Sequence, residues 1–322
     1  MYKRQAYHSL KESQRAIEYT NKCLIIAKDV GDRAGQGKAY SDLGLAYHSL
    51  AEFQRAIEYT NKCLIIAKEV GDRAGQGKAY ASLGLAYHSL AEFQRAIEYN
   101  NKHLIIANEV GDRAGQGLGY GNLGNIYFLL GEYQRAIEYT NKYLIIAREV
   151  GNRAMEGKAY SDLGATYHSL NEFRRAMECH MKHLNIAKEV GDRKEKGRAY
   201  LHIGLIHESL GDVPRAMEYY KQCLSNAEEI GDRFGQGRAY CRLGSCYREL
   251  HDLKEAVECY KQHLGIAEEI GDRMAEACAH SKLGQSFLHS DSLNEALEHF
   301  RCSVKVYDTI SCLLYTSPSP RD

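Results

Sequence analysis

The triplet Gly-Asp-Arg returns at Gly31, Gly71, Gly111, Gly191, Gly231 and Gly271, with Gly151-Asn152-Arg153 as a variant, so the chain repeats every 40 residues. A fixed period of this size belongs to solenoids and propellers. Their units cannot bury an apolar face alone and must stack on neighbours. Arg33–Asp72 and Arg73–Asp112 differ only at Ser41/Ala81, Asp42/Ser82, Thr60/Asn100, Cys63/His103 and Lys68/Asn108. Such near-identity points to recent duplication of the unit.

Inside one unit the apolar spacing is helical. Tyr40, Leu43, Gly44, Tyr47 and Leu50 mark one stripe; Phe53, Ala56, Ile57, Thr60, Cys63, Leu64, Ala67 and Val70 mark a second. Neither alternates with period two, so the fold class is all-α. The break near Ala51-Glu52 leaves room only for a tight turn between antiparallel helices. Gly71 reads as the residue that closes the second helix, and Asp72 as the N-cap of the next. Gly44 and Ala56 recur together in every full unit. A glycine inside a helix costs about 1 kcal/mol against alanine, so the pair predicts close approach of the two helices. Tyr47 and Leu64 are expected to fill the space between hairpins.

Tyr40-x-x-Leu43-Gly44-x-x-Tyr47, followed by Ala56, resembles the tetratricopeptide signature with tyrosine in place of the first tryptophan. The family's unit is about 34 residues long and ends in proline. Here Lys68 stands at that place, and the second helix is expected to run on to Val70. HEAT-type repeats share the longer period but not this pattern. The resemblance implies an α-solenoid, a right-handed superhelix of hairpins whose first helices line a concave wall. Gly119-Tyr120-Gly121-Asn122-Leu123-Gly124-Asn125-Ile126-Tyr127 is also similar to the Pins/LGN class of G-protein signalling modulators, as are His103-Leu104, His183-Leu184 and His263-Leu264. Long invertebrate repeat arrays are equally similar, and the chain shows no carboxy-terminal G-protein-binding motif of the Pins type.

Carried over to this chain, the concave wall comprises Lys38, Ser41, Asp42, Leu45, His48 and their equivalents. Its basic column is Lys38, Lys78, Lys158, Arg198 and Arg238, interrupted by Leu118. Asn122 and Asn125 match the family's peptide-holding asparagines; an amide can bond an extended strand through both donor and acceptor. Asp42 and Asp162 give way to His202, Arg242 and Lys282, while His48 and His88 give way to Glu208 and Arg248. The expected ligand is therefore an extended, acidic peptide, with specificity between Gly119 and Arg248. The competing reading is a solvated helix face whose bases pair with Asp42, Asp162 or nearby glutamates.

The remaining signals exclude more than they assign. With 42 basic and 42 acidic side chains the formal charge is zero, so no global field draws the chain to nucleic acid. Apolar runs such as Cys63-Leu64-Ile65-Ile66-Ala67 are far too short for a membrane span. The ten cysteines form no Cys-x-x-Cys pair, and the slot of Cys63 and Cys223 elsewhere holds His103, Tyr143, His183 or His263. That argues for reduced cysteines packed as small apolar groups, and for a cytoplasmic protein. Cys241 and Cys246 suit no usual metal site. Gly35-Gln36-Gly37-Lys38 is flanked by helices and recurs, unlike a phosphate loop. His48, His88 and His168 find no triad or metal partners. No metal, cofactor or catalysis is expected.

Met1–Gln5 and Cys312–Asp322 fit no repeat, and both can be encoded by the ends of a transposase-based sequencing adapter. The array is then 6–311: a partial repeat at 6–32, full repeats at 33–72, 73–112, 113–152, 153–192, 193–232 and 233–272, and a last one at 273–311. On that reading it is cut from a longer protein, with uncapped ends that invite self-association. Three roles stay open: a scaffold holding another protein, the sensor or autoinhibitory array of a larger signalling enzyme, and a structural spacer.

Overall fold

A computed structural model describes the backbone of residues 2–316 and the side chains of residues 12–309. The segments 1–5 and 312–322 singled out above lie outside the residues whose side chains are described. Among the described residues the chain forms fifteen α-helices and no strand. They are α1 (Tyr2–Asp29), α2 (Arg33–Ser49), α3 (Phe53–Glu69), α4 (Arg73–Ser89), α5 (Phe93–Glu109), α6 (Arg113–Leu129), α7 (Tyr133–Glu149) and α8 (Arg153–Ser169). Then follow α9 (Phe173–Glu189), α10 (Arg193–Ser209), α11 (Val213–Glu229), α12 (Arg233–Glu249), α13 (Leu253–Ile270), α14 (Arg273–His289) and α15 (Leu293–Thr316). The chain divides into two compact units, Lys3–Glu172 and Phe173–Asp322.

Local chemistry sets these boundaries. The Gly75 N–H donates to Asp72 Oδ1 at 2.8 Å, and the same cap recurs at Asp32, Asp112, Asp192, Asp232 and Asp272. Each such cap contributes about 1 kcal/mol. Gly71 takes φ +71°, and the Asp72 N–H returns to the Ala67 carbonyl at 2.8 Å. The second helix passes Lys68 but ends at Glu69, one residue short of the expected Val70, which caps it. The turn expected near Ala51-Glu52 joins α2 to α3, but its left-handed residue was not legible in the sequence. Ala51 sits there at φ +58°, where Gly131 holds φ +75° in a later copy. A non-glycine residue in that region costs roughly 1 kcal/mol.

The glycine at position 44 makes room for a different residue than its pairing with Ala56 suggests. A Cβ there would lie 2.5 Å from Thr60 Oγ1, against 3.5 Å from the Ala56 carbonyl. On Gly84 it would meet Asn100 Nδ2 at 2.6 Å, and on Gly204 the Tyr220 ring at 2.5 Å. The slot thus belongs to the side chain one turn beyond Ala56. Leu64 packs between hairpins as expected, buried with Ala79 and Leu83 of the next unit. Tyr47 packs against the Leu24, Ala39 and Leu43 cluster that joins two hairpins, and its ring also stacks on Tyr59 of its own hairpin, centroids 5.2 Å apart.

Within the first unit α2 packs on α4, α4 on α6 and α6 on α8; within the second α10 packs on α12. No comparable packing joins consecutive second helices among the described residues. The first helices are therefore crowded onto the inner side of each unit's bend. No helix among the described residues is long and apolar enough to cross a membrane.

Candidate functional site

In the first unit, three of the predicted residues converge. Asn122, Asn125 and Lys158 line a cleft of about 250 Å³, together with Leu85, His88, Gly121, Tyr143 and Asp162. Gly121 opens its floor: a Cβ there would touch the Tyr143 ring at 3.4 Å. The equivalent residues Ser41, Ala81 and Ser161 all carry one. The asparagines are anchored on one side each. Asn122 Nδ2 donates to the buried Asn100 Oδ1 at 3.0 Å, and His88 Nε2 bonds Asn125 Oδ1 at 2.9 Å. Lys158 Nζ lies 3.3 Å from Asp162 Oδ1. Burial, and then the Asp162 charge, push the Tyr143 phenol up to about 12, so it stays a neutral donor. Lys38 lines a separate, more open recess with Asp42 and Cys23, and Lys78 is simply exposed.

In the second unit the lining is cationic. Arg198 and Arg238 line one small recess with Cys223, Asn226 and Phe234. Arg198 pairs with Glu195 at 2.7 Å and Arg242 with Glu208 at 3.7 Å. Arg238 has no carboxylate partner among the described residues; its guanidinium lies 5.8 Å from the Phe234 ring. Partial burial, with the Arg242 and Arg198 charges alongside, pushes its pKa down even though the side chain still reaches water. Asn226 donates to the Arg193 carbonyl at 2.7 Å, while its buried Oδ1 has no partner. His202 stacks on His180 at 4.8 Å, and Arg248 donates to Gln285. These two predicted residues brace the wall.

Among the described residues, Lys158 and Arg198 of the basic column, and Arg242 beside it, meet a carboxylate, whereas Lys38, Lys78 and Arg238 show none. Sequence reasoning missed Gly121, Tyr143 and Phe234. Each is an exception to its repeat slot, which is the signal that could have found them. Glu268, Glu276 and His280 bring ligand atoms within 4.8 Å of one another. Arg273 already holds Glu276 at 2.8 Å, and His299 holds His280 at 2.9 Å.

Comparison with known proteins agrees with this geometry. One tetratricopeptide repeat profile matches residues 116–189, 195–269 and 235–309, and a second matches 39–74 and 79–114. No curated protein matches the chain. In fold it is similar to BtubC from P. vanneervenii: 20% identity, TM-score 0.61, covering 68% of this chain and 92% of that one. It is similar to the signal transduction ATPase with a tetratricopeptide repeat sensor from Pyrococcus horikoshii: 18% identity, TM-score 0.73, covering 96% of this chain and 47% of that one. It is similar to the apo quorum sensor NprR from B. thuringiensis: 16% identity, TM-score 0.74, covering 94% and 87%. At these identities the likeness speaks for the fold alone. With signature, hairpins and profile matches in agreement over more than half its length, the chain belongs to the tetratricopeptide repeat family.

Proposed function

We propose that the chain is a protein-interaction scaffold that holds an extended, acidic peptide segment along its first helices. The observation that carries this reading is the arginine cluster of the second unit. Arg238 lies beside Arg198 and Arg242 with no carboxylate of its own. Like charges held together are unfavourable until an anion arrives. The unpartnered Asn226 Oδ1 lines the same recess and suits a backbone N–H of an extended strand. In the first unit, the cleft at Asn122 and Asn125 offers the amides that the Pins/LGN likeness associates with such a ligand. A role in G-protein-linked signalling or cell polarity, in the cytoplasm, follows from that likeness. In this reading the array holds its partner and transforms nothing.

The test is an array of short Asp/Glu-rich peptides, with hits measured by fluorescence anisotropy. Arg198→Glu and Arg238→Glu should each weaken a hit about tenfold, roughly 1.4 kcal/mol. Gly121→Leu should weaken peptides that use the first-unit cleft and leave the others alone. Affinities unmoved by both arginine reversals would remove the groove reading.

A second reading is favoured by the likeness to the tetratricopeptide sensor of the P. horikoshii ATPase, of which this chain spans about half. There the array would sense or autoinhibit within a larger signalling enzyme. Genomic sequence flanking the array separates the two: a nucleotide-binding or protease domain supports the sensor, G-protein-binding motifs the scaffold.

A further inference from the structure

Cys278 occupies the slot that Lys38, Lys78, Lys158, Arg198 and Arg238 fill in earlier repeats, and Cys241 occupies the slot of Ser41. Consecutive first helices meet in a fixed register. His88 bonds Asn125, Arg248 bonds Gln285 and Lys282 bonds Ser245, each pair 37 residues apart. Cys241 on α12 and Cys278 on α14 share that spacing, so the stacking that makes those bonds also brings the two thiols together. Both residues are half-buried and within reach of solvent. Their surroundings are cationic: Lys282 Nζ is 3.1 Å from Ser245 Oγ and 5.6 Å from the Tyr260 ring, and Arg242 follows Cys241 in the chain.

We propose that Cys241 and Cys278 form a peroxide-oxidisable dithiol, a modification site at which the α12–α13 and α14–α15 hairpins are reversibly clipped together across the inner face. The thiolate, not the thiol, is the nucleophile. The neighbouring Cys241 thiol, with Lys282 and Arg242 beside it, holds Cys278 below the ordinary thiol range, while Cys241 itself is pushed up. Burial pushes Cys63, Cys179, Cys223, Cys246 and Cys259 up, which protects them. The Cys278 thiolate attacks one peroxide oxygen. The O–O bond breaks, Cys278 becomes a sulfenic acid, and hydroxide leaves. The Cys241 sulfur then attacks the Cys278 sulfur, its proton leaving with the departing hydroxide as water. The two thiols lose two electrons and one hydrogen peroxide is reduced to two waters. A thiol reductant reverses the bond.

The test is peptide mapping of the full chain after brief treatment with dilute hydrogen peroxide. Trypsin releases each cysteine alone, in Ala239–Arg242 and Met274–Lys282. The expected product is one disulfide joining these two peptides, lost on reduction and dominant over links through Cys23 or Cys302. Cys241→Ser should leave Cys278 trapped as a sulfenic acid that dimedone labels, and Cys278→Ser should abolish the fast reaction. Recovery of both peptides unlinked, or linked at random to other cysteines, would overturn the proposal. The mapping uses the unaltered protein, so it stands even if a variant fails to fold.

Discussion

The two units use one backbone plan and fill it differently. Beneath the helix glycine the first unit places Thr60, Asn100 and Thr140; the second places Tyr220 and Tyr260. Thr60 and Asn100 bond their own helix, Thr60 Oγ1 to the Ala56 carbonyl at 2.7 Å and Asn100 Nδ2 to the Ala96 carbonyl at 2.8 Å. The tyrosines instead are fully buried and send their hydroxyls to the inner face, onto Glu208 and Ser245. Asn100 leaves space that becomes part of the Asn122 cleft, whereas the tyrosines occupy that depth. The outer faces differ too. Ile65, Ile105 and Ile145 stand exposed on the first unit, where Asn185, Ser225 and Gly265 occupy the same slot in the second. A repeat fixes the spacing of the elements, and the variable slots decide whether the surface is hollow or filled, apolar or polar.

The sharpest way to break this comparison is to empty the slot. Tyr220→Ala should cost about 3–5 kcal/mol. Thr60→Ala loses one hydrogen bond, that to the Ala56 carbonyl, and should cost about 1 kcal/mol. Urea unfolding of each variant checks both, and equal losses would show that the slot carries the same weight in the two units. Leu64→Ala, between hairpins of the first unit, should cost about 2–5 kcal/mol.

A smaller effect concerns acid. His103 in the first unit and His263 in the second are buried, each with an Nδ1 that finds no partner, and burial lowers both from 6.5. The folded state prefers the neutral ring, so the unfolded chain takes up the proton first. Their contribution is present above pH 6.5 and falls away as pH drops from there toward the folded values. Thermal melts between pH 7.5 and 5 should show the loss (the pH limits are about those of the histidine range). His103→Tyr, which installs the residue found at Tyr143, should flatten the first unit's share. An unchanged slope would assign the acid sensitivity elsewhere.

The smallest effect lies in the hairpin turn. Ala51→Gly relieves a backbone at φ +58° and should stabilise by a few tenths to about 1 kcal/mol. The same change at an ordinary helix position destabilises by about that amount. A loss at position 51 would mean that the turn is not strained.

The candidate site was legible only in part, and the reason is geometric. Lys38, Asn122 and Arg238 could be placed on the inner face from their slots, because helix phase carries a residue's direction along the whole array. Which bases stay unpaired could not be read that way. Arg242 meets Glu208 across neighbouring helices, while Arg238, four residues earlier on the same helix, meets Arg198 instead. Tyr143 was assigned to a structural slot, yet the missing Cβ of Gly121 turns its ring into the floor of a cleft.

The sequence by itself determined the hairpins, their caps at Asp72 and Gly71, and the family, because period, capping and helix phase act within a few residues of one another. Only the tertiary structure decided what fills the slot beneath Gly44, where the cleft opens, which arginine lacks a carboxylate, and that Cys241 faces Cys278. Those outcomes depend on distances between side chains of neighbouring helices. Stacking sets those distances, and no local pattern encodes them.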